Sequence, residues 1–371
     1  MNAIRNGADP PRILIAGGGT GGHLFPGIAV ARELLTRNPA AIVSFVGTAA
    51  GIEARVIPRE GFDLDLIRSS GVKGKSIGSR VRGVSILPLS AVDAWRVLTR
   101  RRPSLVIGVG GFSSGPIVLL ASMRGMKTMV LEQNAVPGLT NRLLARFVDA
   151  AAVTWEATLP FFKGRGFVSG NPVRSQFLAV ADRRPDPGGA ARVLIFGGSQ
   201  GAHAINMAAV EAAPRLAGTA PPLAITHQTG ERDVEMVREG YRRAGVVARI
   251  EPFLFEMDRE MSEADLVICR AGATTLAEIT AAGRAAVLVP LPTATDDHQR
   301  KNAEVLRAAG AAEVIEQSEL TGERFAETVR QLASDVSRRH RMAAAARRLA
   351  RPEAARVIAD RALTLIASRT R

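Results

Sequence analysis

The chain has 371 residues, a length that predicts about two domains rather than one. With 46% hydrophobic and 23% charged residues it has the composition of a globular protein, which excludes disordered and fibrous classes. Its net charge is +14, from 49 Lys or Arg and 35 Asp or Glu. The only cysteine, Cys269, excludes an internal disulfide and zinc–thiolate or iron–sulfur sites, and favours a reducing compartment.

Neither a secretory signal nor a spanning helix is predicted. The apolar run at residues 13–16 is too short for the hydrophobic region of a signal peptide. No uninterrupted apolar stretch approaches the roughly 20 residues that cross a bilayer. We therefore expect any membrane contact to be peripheral.

A strand followed by a glycine loop occurs twice in the chain. Residues 13–16 lead into the loop 17–23, and residues 193–196 lead into the loop 197–203, at an offset of 180 residues. Each apolar run is short, flanked by glycine and followed by a helical pattern, as expected of a buried parallel strand. The repeat predicts two doubly wound α/β domains.

Further strands are predicted in both halves, with helical stretches between them, at residues 42–46, 105–109, 128–131, 223–227, 265–269 and 286–289. This alternation predicts parallel sheets with right-handed crossovers. The polar, Pro- and Gly-rich segment 181–189 predicts a linker, and a ligand cleft between the domains is expected. The predicted domains are 1–174 and 175–353, with a C-terminal helix, 354–371, that packs back on the first.

The positive charge belongs to the first half of the chain. Residues 1–174 carry a net +12 and residues 175–371 a net +2, and the densest basic segment is 68–102. Basic residues interleaved with apolar ones suit an anionic membrane surface, although a solvated helix face explains the pattern equally well. Nucleic acid is disfavoured as a partner because aromatic residues make up only 4% of the chain.

The first glycine loop fits the G-x-G-x-x-G pattern of a dinucleotide site. However, the next strand is followed by Gly47 and Thr48 rather than by the acid that binds an adenosine ribose. The loop therefore predicts anion binding at a helix N-terminus instead of an NAD site. A second loop, 108–116, also follows a strand, and together the two loops predict a diphosphate-bearing ligand on the first domain.

A third segment, 269–278, has the pattern of a strand end, a tight loop and a helix start. Its helix N-terminus offers free N–H groups to another diphosphate. Glu278 is placed to accept hydrogen bonds from ribose hydroxyls, unless it is an ordinary surface glutamate. His23 and His203 occupy equivalent places in the repeat, and either one is a candidate base or a structural histidine.

Taken together, these motifs resemble the MurG family. The matching segments are Gly17 to His23 with Phe25-Pro26-Gly27, residues 110–116, Glu132-Gln133-Asn134, and residues 170–174, 197–202 and 269–278. The family comprises the UDP-N-acetylglucosamine:undecaprenyl-diphospho-muramoylpentapeptide N-acetylglucosaminyltransferases, and the resemblance runs from about residue 12 to 315. It implies a GT-B fold, with two Rossmann-like domains and a cleft between them.

The resemblance also implies a role for individual residues. It assigns the donor diphosphate to Ser199, Arg174, Ala273, Thr274, Thr275 and Leu276, the uracil to the backbone of Leu254, and the ribose to Glu278. It assigns the sugar hydroxyls to Gln299, Asn134, Thr20, Gly21 and Gly22, and the acceptor to Gly18, Gly19, Gly110, Gly111, Phe112, Ser113 and Ser114. His23 matches the family's candidate base.

The implied activity is inverting transfer of N-acetylglucosamine to the 4-hydroxyl of lipid I, which makes lipid II for peptidoglycan at the cytoplasmic face of the inner membrane. No cofactor is implied, and no metal, because Asp63-Leu64-Asp65 lies early in the chain after a helix-like stretch. Two residues depart from the family pattern, Leu131 in place of His and Phe112 in place of Tyr. The alternatives are a UDP-N-acetylglucosamine 2-epimerase and a non-catalytic scaffold or lipid-binding protein of the same fold.

Overall fold

A computed structural model describes residues 9–69, 87–178, 189–198 and 201–368. Its contacts divide the chain into two compact units, Met1–Pro172 with Glu353–Arg371 and Val173–Pro352. The boundaries predicted from the sequence lie one or two residues from these, at 174 and 353. Most of the predicted linker, residues 181–188, lies outside the described residues.

The described part of the first unit contains a parallel sheet of seven strands in the order β3-β2-β1-β4-β5-β6-β7. The strands are β1 Arg12–Gly17, β2 Ile42–Gly47, β3 Asp63–Leu66, β4 Leu105–Gly110, β5 Lys127–Glu132, β6 Ala150–Val153 and β7 Gly166–Val168. The four strands predicted in this half are confirmed as β1, β2, β4 and β5. The prediction missed β3, β6 and β7.

Helices cover both faces of this sheet. They are α1 Gly21–Arg37, α2 Glu53–Arg59, α3 Leu87–Arg101, α4 Ser114–Met123, α5 Leu139–Leu144 and the C-terminal helix Ala354–Ala367. Buried side chains of α1 and the C-terminal helix form the core on one face, and those of α3 and α4 form the core on the other. An ion pair of 2.7 Å between Arg37 and Asp360 also joins α1 to the C-terminal helix.

The described part of the second unit contains a six-stranded parallel sheet in the order β10-β9-β8-β11-β12-β13. Its strands are β8 Ala191–Phe196, β9 Leu223–Gln228, β10 Ala248–Glu251, β11 Leu266–Cys269, β12 Ala285–Leu288 and β13 Ala312–Val314. Its helices are α6 Ser175–Leu178, α7 His203–Leu216, α8 Val234–Arg243, α9 Met257–Glu263, α10 Ala273–Ala282, α11 His298–Ala308, α12 Gly322–Ser334 and α13 Val336–Leu349.

The sequence repeat corresponds to a repeat of topology. Strands β1 and β8 hold the same central place in their sheets, and the strand order reverses on one side of each, at β1–β4 and at β8–β11. In open parallel sheets, ligands bind outside the carboxyl ends of the strands at such a reversal. The glycine loops after β1, β4, β8 and β11 all lie at these two positions. No helix of the described ranges is both long and apolar enough to cross a bilayer.

Candidate functional site

The loops that follow β1 and β4 pack against each other backbone to backbone. A Cβ on Gly17 would lie 2.4 Å from the carbonyl oxygen of Gly110, and one on Gly111 would lie 2.5 Å from that of Gly18. Gly110 and Gly111 also have φ of +100° and +81°, a region that favours glycine. Close packing between the loops therefore requires several of the glycines that the sequence analysis assigned to ligand binding.

A buried carboxylate, Glu53, holds the first glycine loop in place. It accepts hydrogen bonds from the backbone N–H of Gly19 at 2.8 Å and of Thr48 at 2.8 Å, and from the Thr48 hydroxyl at 3.0 Å. The glutamate is 1% exposed, and a Cβ on Gly18, Gly47 or Gly51 would lie 2.1–2.4 Å from it. No sequence motif pointed to Glu53. Its carboxylate binds the N–H of Gly19, a residue that the family resemblance assigns to the acceptor.

His23 lies in the first turn of α1, directly after Gly21 and Gly22. Its Nδ1 is 3.3 Å from the side-chain oxygen of Gln133, which follows β5. Thr20 precedes the helix in an extended conformation, and the first turn contains no acidic residue. The candidate base is therefore placed at the N-terminus of α1, beyond the carboxyl end of β1.

The other predicted acceptor residues lie in the second loop and differ in exposure. Phe112 is 55% exposed, whereas Ser113 and Ser114 are buried. The Ser114 hydroxyl donates to the carbonyl of Gly111 at 3.0 Å and so holds the loop onto the start of α4. Phe112 is the side chain in this loop that can meet a ligand.

Glu132 organises the loop after β5, which contains the predicted sugar-binding residue Asn134. Its two carboxylate oxygens accept from the backbone and side chain of Asn134, from the Gly138 N–H and from Asn141, at 2.8–3.2 Å. Glu132 is 2% exposed. The acid therefore fixes the position of Asn134.

In the second unit, Arg174 and Glu278 form an ion pair of 3.0 Å. The guanidinium also lies 4.7 Å from the ring centre of Phe177. Burial raises the pKa of the Glu278 carboxyl, and the charge of Arg174 opposes that shift. The family resemblance assigns Arg174 to the diphosphate and Glu278 to the ribose of one nucleotide, and in the structure the two side chains are in contact.

Glu278 lies on α10, and the N-terminus of that helix contains other residues assigned to the donor. Gly272 caps the helix in an extended conformation, Ala273, Thr274 and Thr275 form its first turn, and no acid lies there. Because a helix rises 1.5 Å per residue, Glu278 lies about 7–8 Å along the axis from the first residue of α10. An anionic group and a hydroxyl-bearing group of one ligand can therefore lie along this helix.

A buried amide, Gln228, joins two loops at the carboxyl edge of the second sheet. It donates to the carbonyl of Gly198 at 2.8 Å and accepts from the backbone N–H of Leu254 at 3.0 Å. The Leu254 N–H is thus already hydrogen-bonded. If the backbone of Leu254 contacts a nucleobase, we expect its carbonyl to do so. Gln299 accepts from the Leu291 N–H at 3.0 Å, while Ser199 lies outside the described residues.

The two histidines of the repeat have different surroundings. His203 lies 2.9 Å from the carboxylate of Asp233, whereas His23 faces a neutral amide. Asn206 connects Asp233 to the buried His227, with distances of 2.8 and 3.0 Å. Burial lowers the pKa of His227 to about 3, so that ring is neutral in the folded protein. His203 therefore belongs to a polar network inside the second unit.

Asp63 and Asp65, the residues weighed as a metal-binding pattern, lie on β3 and pair with arginines of α3. Arg101 lies 2.7 Å from Asp65 and 2.8 Å from Asp63, and Arg100 also pairs with Asp65. Within the described ranges, no group of three or more His, Cys, Asp or Glu side chains is arranged to hold a metal ion.

Part of the basic segment 68–102 lies outside the described residues, at 70–86. In the described part, Arg68 pairs with Asp93 at 2.7 Å, and Arg100 and Arg101 pair with aspartates of β3. Apolar side chains on α3 and α4 are exposed: Leu89, Val92, Trp95, Leu119 and Met123. Arg124 lies 4.4 Å from the Trp95 ring centre, so an aromatic and a basic group adjoin in this apolar patch.

Sequence profiles of one family match both units. The glycosyltransferase family 28 N-terminal domain matches residues 13–153, and its C-terminal domain matches residues 192–360. A protein of Anaeromyxobacter sp. (strain K) is 48% identical over 359 residues, covering 96% of this chain and 94% of the relative. One from Pelobacter propionicus is 48% identical over 375 residues, covering 95% and 99%. Both are named UDP-N-acetylglucosamine–N-acetylmuramyl-(pentapeptide) pyrophosphoryl-undecaprenol N-acetylglucosamine transferase.

Solved structures show the same fold. The crystal structure of Acinetobacter baumannii MurG matches with a TM-score of 0.79 and 32% identity, covering 96% of this chain and all of that one. A UDP-N-acetylglucosamine 2-epimerase matches with a TM-score of 0.70 at 15% identity, covering 98% and 97%. At that identity the epimerase shows a shared architecture only. The GT-B architecture expected from the sequence is confirmed.

Proposed function

Because the chain belongs to the MurG family, within glycosyltransferase family 28, we propose that it transfers N-acetylglucosamine from UDP-N-acetylglucosamine to lipid I. The acceptor is undecaprenyl-diphosphate-linked N-acetylmuramoyl-pentapeptide, and the product is lipid II, a precursor of peptidoglycan. The observation that carries the proposal is the Arg174–Glu278 pair beside the acid-free N-terminus of α10. A cation, a carboxylate and the N–H groups of a helix N-terminus are the partners that suit a nucleoside diphosphate.

The donor is held by the second unit. Arg174 and the N–H groups at Ala273 to Thr275 bind the diphosphate, and the Glu278 carboxylate accepts hydrogen bonds from the ribose hydroxyls. The Leu254 carbonyl accepts from the uracil, because its N–H is already bonded to Gln228. Ser199, Leu276 and Gln299 complete the donor contacts assigned from the family resemblance, together with Asn134, Thr20, Gly21 and Gly22 from the first unit.

The acceptor is held by the loops of the first unit, and His23 is the base. The 4-hydroxyl oxygen of the N-acetylmuramoyl group attacks the anomeric carbon, and the bond from that carbon to the UDP oxygen breaks with inversion. His23 takes the proton of the hydroxyl. Arg174 and the α10 N-terminus stabilise the negative charge that develops on the departing diphosphate.

The enzyme acts at the cytoplasmic face of the inner membrane as a peripheral protein. The exposed apolar side chains of α3 and α4 lie beside Arg96 and Arg124, which favours contact with anionic lipid. Arginines of the basic segment 68–102 form ion pairs with Asp63, Asp65 and Asp93, so this segment presents less positive charge to a membrane than its arginine content suggests. Both positive charge and the insertion of apolar side chains therefore contribute to this membrane contact.

A direct assay separates this function from its alternatives. The protein is incubated with labelled UDP-N-acetylglucosamine, with and without a short-chain lipid I analogue, and the products are identified by mass spectrometry. Transfer predicts an acceptor heavier by one N-acetylglucosamine and release of UDP only when acceptor is present. A 2-epimerase would convert the donor without acceptor, and a scaffold would bind either ligand without product.

A further inference from the structure

The orientation of the Gln133 amide is determined by one of its partners. Gln133 is 2% exposed, and its side-chain nitrogen lies 3.1 Å from the carbonyl oxygen of Val109. A carbonyl oxygen only accepts hydrogen bonds, so the NH2 group must face Val109. The amide oxygen, Oε1, must then face the His23 ring.

This orientation fixes the role of the nearer ring nitrogen. Oε1 of Gln133 only accepts, and it lies 3.3 Å from Nδ1 of His23. A hydrogen bond therefore requires the proton of the neutral imidazole to be on Nδ1. In that tautomer, Nε2 carries the lone pair.

Gly110 fixes the ring itself. A Cβ at this position would lie 2.7 Å from Nδ1 and 2.9 Å from Cε1 of His23, so the imidazole packs against the bare backbone of the second loop. The same peptide segment includes Val109, whose carbonyl orients Gln133. The last two residues of β4 thus set both the position of the ring and the direction of the amide that faces it.

We propose that Gln133 is a positioning residue that holds His23 in the Nδ1-protonated tautomer, so that Nε2 takes the proton of the acceptor hydroxyl. This inference rests on the proposed function of His23 as the base. When Nε2 gains the proton, the ring becomes an imidazolium and Nδ1–H still donates to Oε1. That hydrogen bond becomes one from a charged donor and stabilises the ring in the state that forms during transfer.

Two substitutions at Gln133 separate positioning from simple packing. Gln133→Met keeps the volume but removes both hydrogen bonds, whereas Gln133→Glu keeps an acceptor for Nδ1–H and loses the donor to Val109. We expect Gln133→Met to lower kcat about 10- to 100-fold, the effect of losing one hydrogen bond to a charged group, with the KM for the donor little changed. Gln133→Glu is expected to stay closer to wild type than Gln133→Met.

Thr128→Val is the matched control. It removes a partly buried side-chain hydrogen bond, to Asp149 at 3.1 Å, from the other end of the strand that leads to Gln133. We expect it to lower stability and to leave kcat unchanged. If Gln133→Glu is as damaging as Gln133→Met, the bond to Val109 is what matters and the positioning role is wrong.

Nuclear magnetic resonance tests the tautomer without any turnover. In the full chain labelled with 15N-histidine, the His23 signals are identified by their absence from His23→Ala. We expect Nδ1 to carry the proton in wild type and in Gln133→Glu, and Gln133→Met to show a mixture of tautomers. Protonation of Nε2 in the wild type would overturn the inference even while transfer activity persists, whereas absence of transfer by the wild type would overturn the proposed function instead.

Discussion

The backbone N–H of Gly19 donates a 2.8 Å hydrogen bond to the carboxylate of Glu53, which is almost fully buried. The glycine loop after β1 therefore contains an anionic side chain of its own. A loop of this kind disfavours a second negative charge at Gly19, because like charges repel. In the proposed acceptor site, the neutral, hydroxyl-bearing part of the acceptor is therefore the better match for this part of the loop.

Replacement of Glu53 is expected to destabilise the first unit. Glu53→Ala removes the acceptor of the N–H groups of Gly19 and Thr48, and each of these partly buried hydrogen bonds contributes about 1–2 kcal/mol. Both tryptophans of the chain, Trp95 and Trp155, lie in the first unit, so urea unfolding followed by tryptophan fluorescence reports on it. Glu60→Gln, which breaks a surface ion pair with Arg32, is the control and should change stability by less than about 1 kcal/mol. Equal stability of the two variants would contradict the role of Glu53.

The affinity for UDP is expected to depend on the ionisation of Glu278. Its pKa is raised by burial, so the carboxyl gains a proton at a higher pH than an ordinary glutamate does. The protonated form is a poorer acceptor for ribose hydroxyls, and UDP binding should therefore weaken as the pH falls through that raised pKa. Calorimetry across this range should show the effect in wild type, and Glu278→Gln should lack it.

Glu278→Ala gives a second measurement at neutral pH. Loss of the acceptor for a buried ribose diol should weaken UDP binding by about 1–3 kcal/mol. Unchanged affinity in Glu278→Ala would remove the residue from the nucleotide site.

The fold was predictable where each element carries its own pattern. The glycine loops and apolar runs locate β1, β4, β8 and β11 because the signal lies within a few consecutive residues. Strand β6 was missed because its sequence, Ala-Ala-Ala-Val, is favoured in helices, and only pairing with β5 and β7 makes it a strand. Strand β3 was missed because its alternating aspartates are stabilised by arginines some 35 residues later in the chain.

Side chains that support the candidate site were harder to predict than the loops. Glu53 meets Gly19 across 34 residues of sequence, and Gln133 meets His23 across 110. A single sequence contains no local pattern for such pairs, since they form only when neighbouring strands of the sheet bring their ends together. The loops themselves were visible because positive φ and close backbone packing require glycine.

Acid is expected to destabilise the second unit through His227. Its pKa is about 3 when folded and near 6.5 when unfolded, so between these values the unfolded state binds a proton that the folded state does not. Stability from this group is complete above pH 6.5 and falls as the pH is lowered, by about 2 kcal/mol at pH 5. The only tyrosine, Tyr241, lies beside His227 and provides the spectroscopic probe. His227→Gln should show a smaller loss between pH 7 and 5; an identical loss would contradict the assignment.

Binding to anionic vesicles is expected to depend on the apolar patch of α3 and α4. Trp95→Glu places a charge in that patch and should weaken sedimentation with anionic vesicles. Val247→Glu makes the same change at a 90% exposed position of the second unit and should not. Binding should also fade at 1 M salt, where the screening length is about 3 Å. If the fraction of protein that sediments with vesicles does not change with lipid charge, with salt or with either substitution, this surface assignment is contradicted.

The most direct test of the account is the turnover of His23→Ala at saturating donor and acceptor, measured beside its affinity for UDP-N-acetylglucosamine. Loss of a general base lowers turnover by about 10²- to 10⁴-fold, and donor affinity should stay near that of wild type because the proposed donor site lies on the second unit. His203→Ala, which alters a histidine paired with Asp233, should have the milder effect. Nearly full turnover by His23→Ala would contradict proton transfer to His23 and would leave catalysis to substrate positioning and stabilisation of the departing diphosphate.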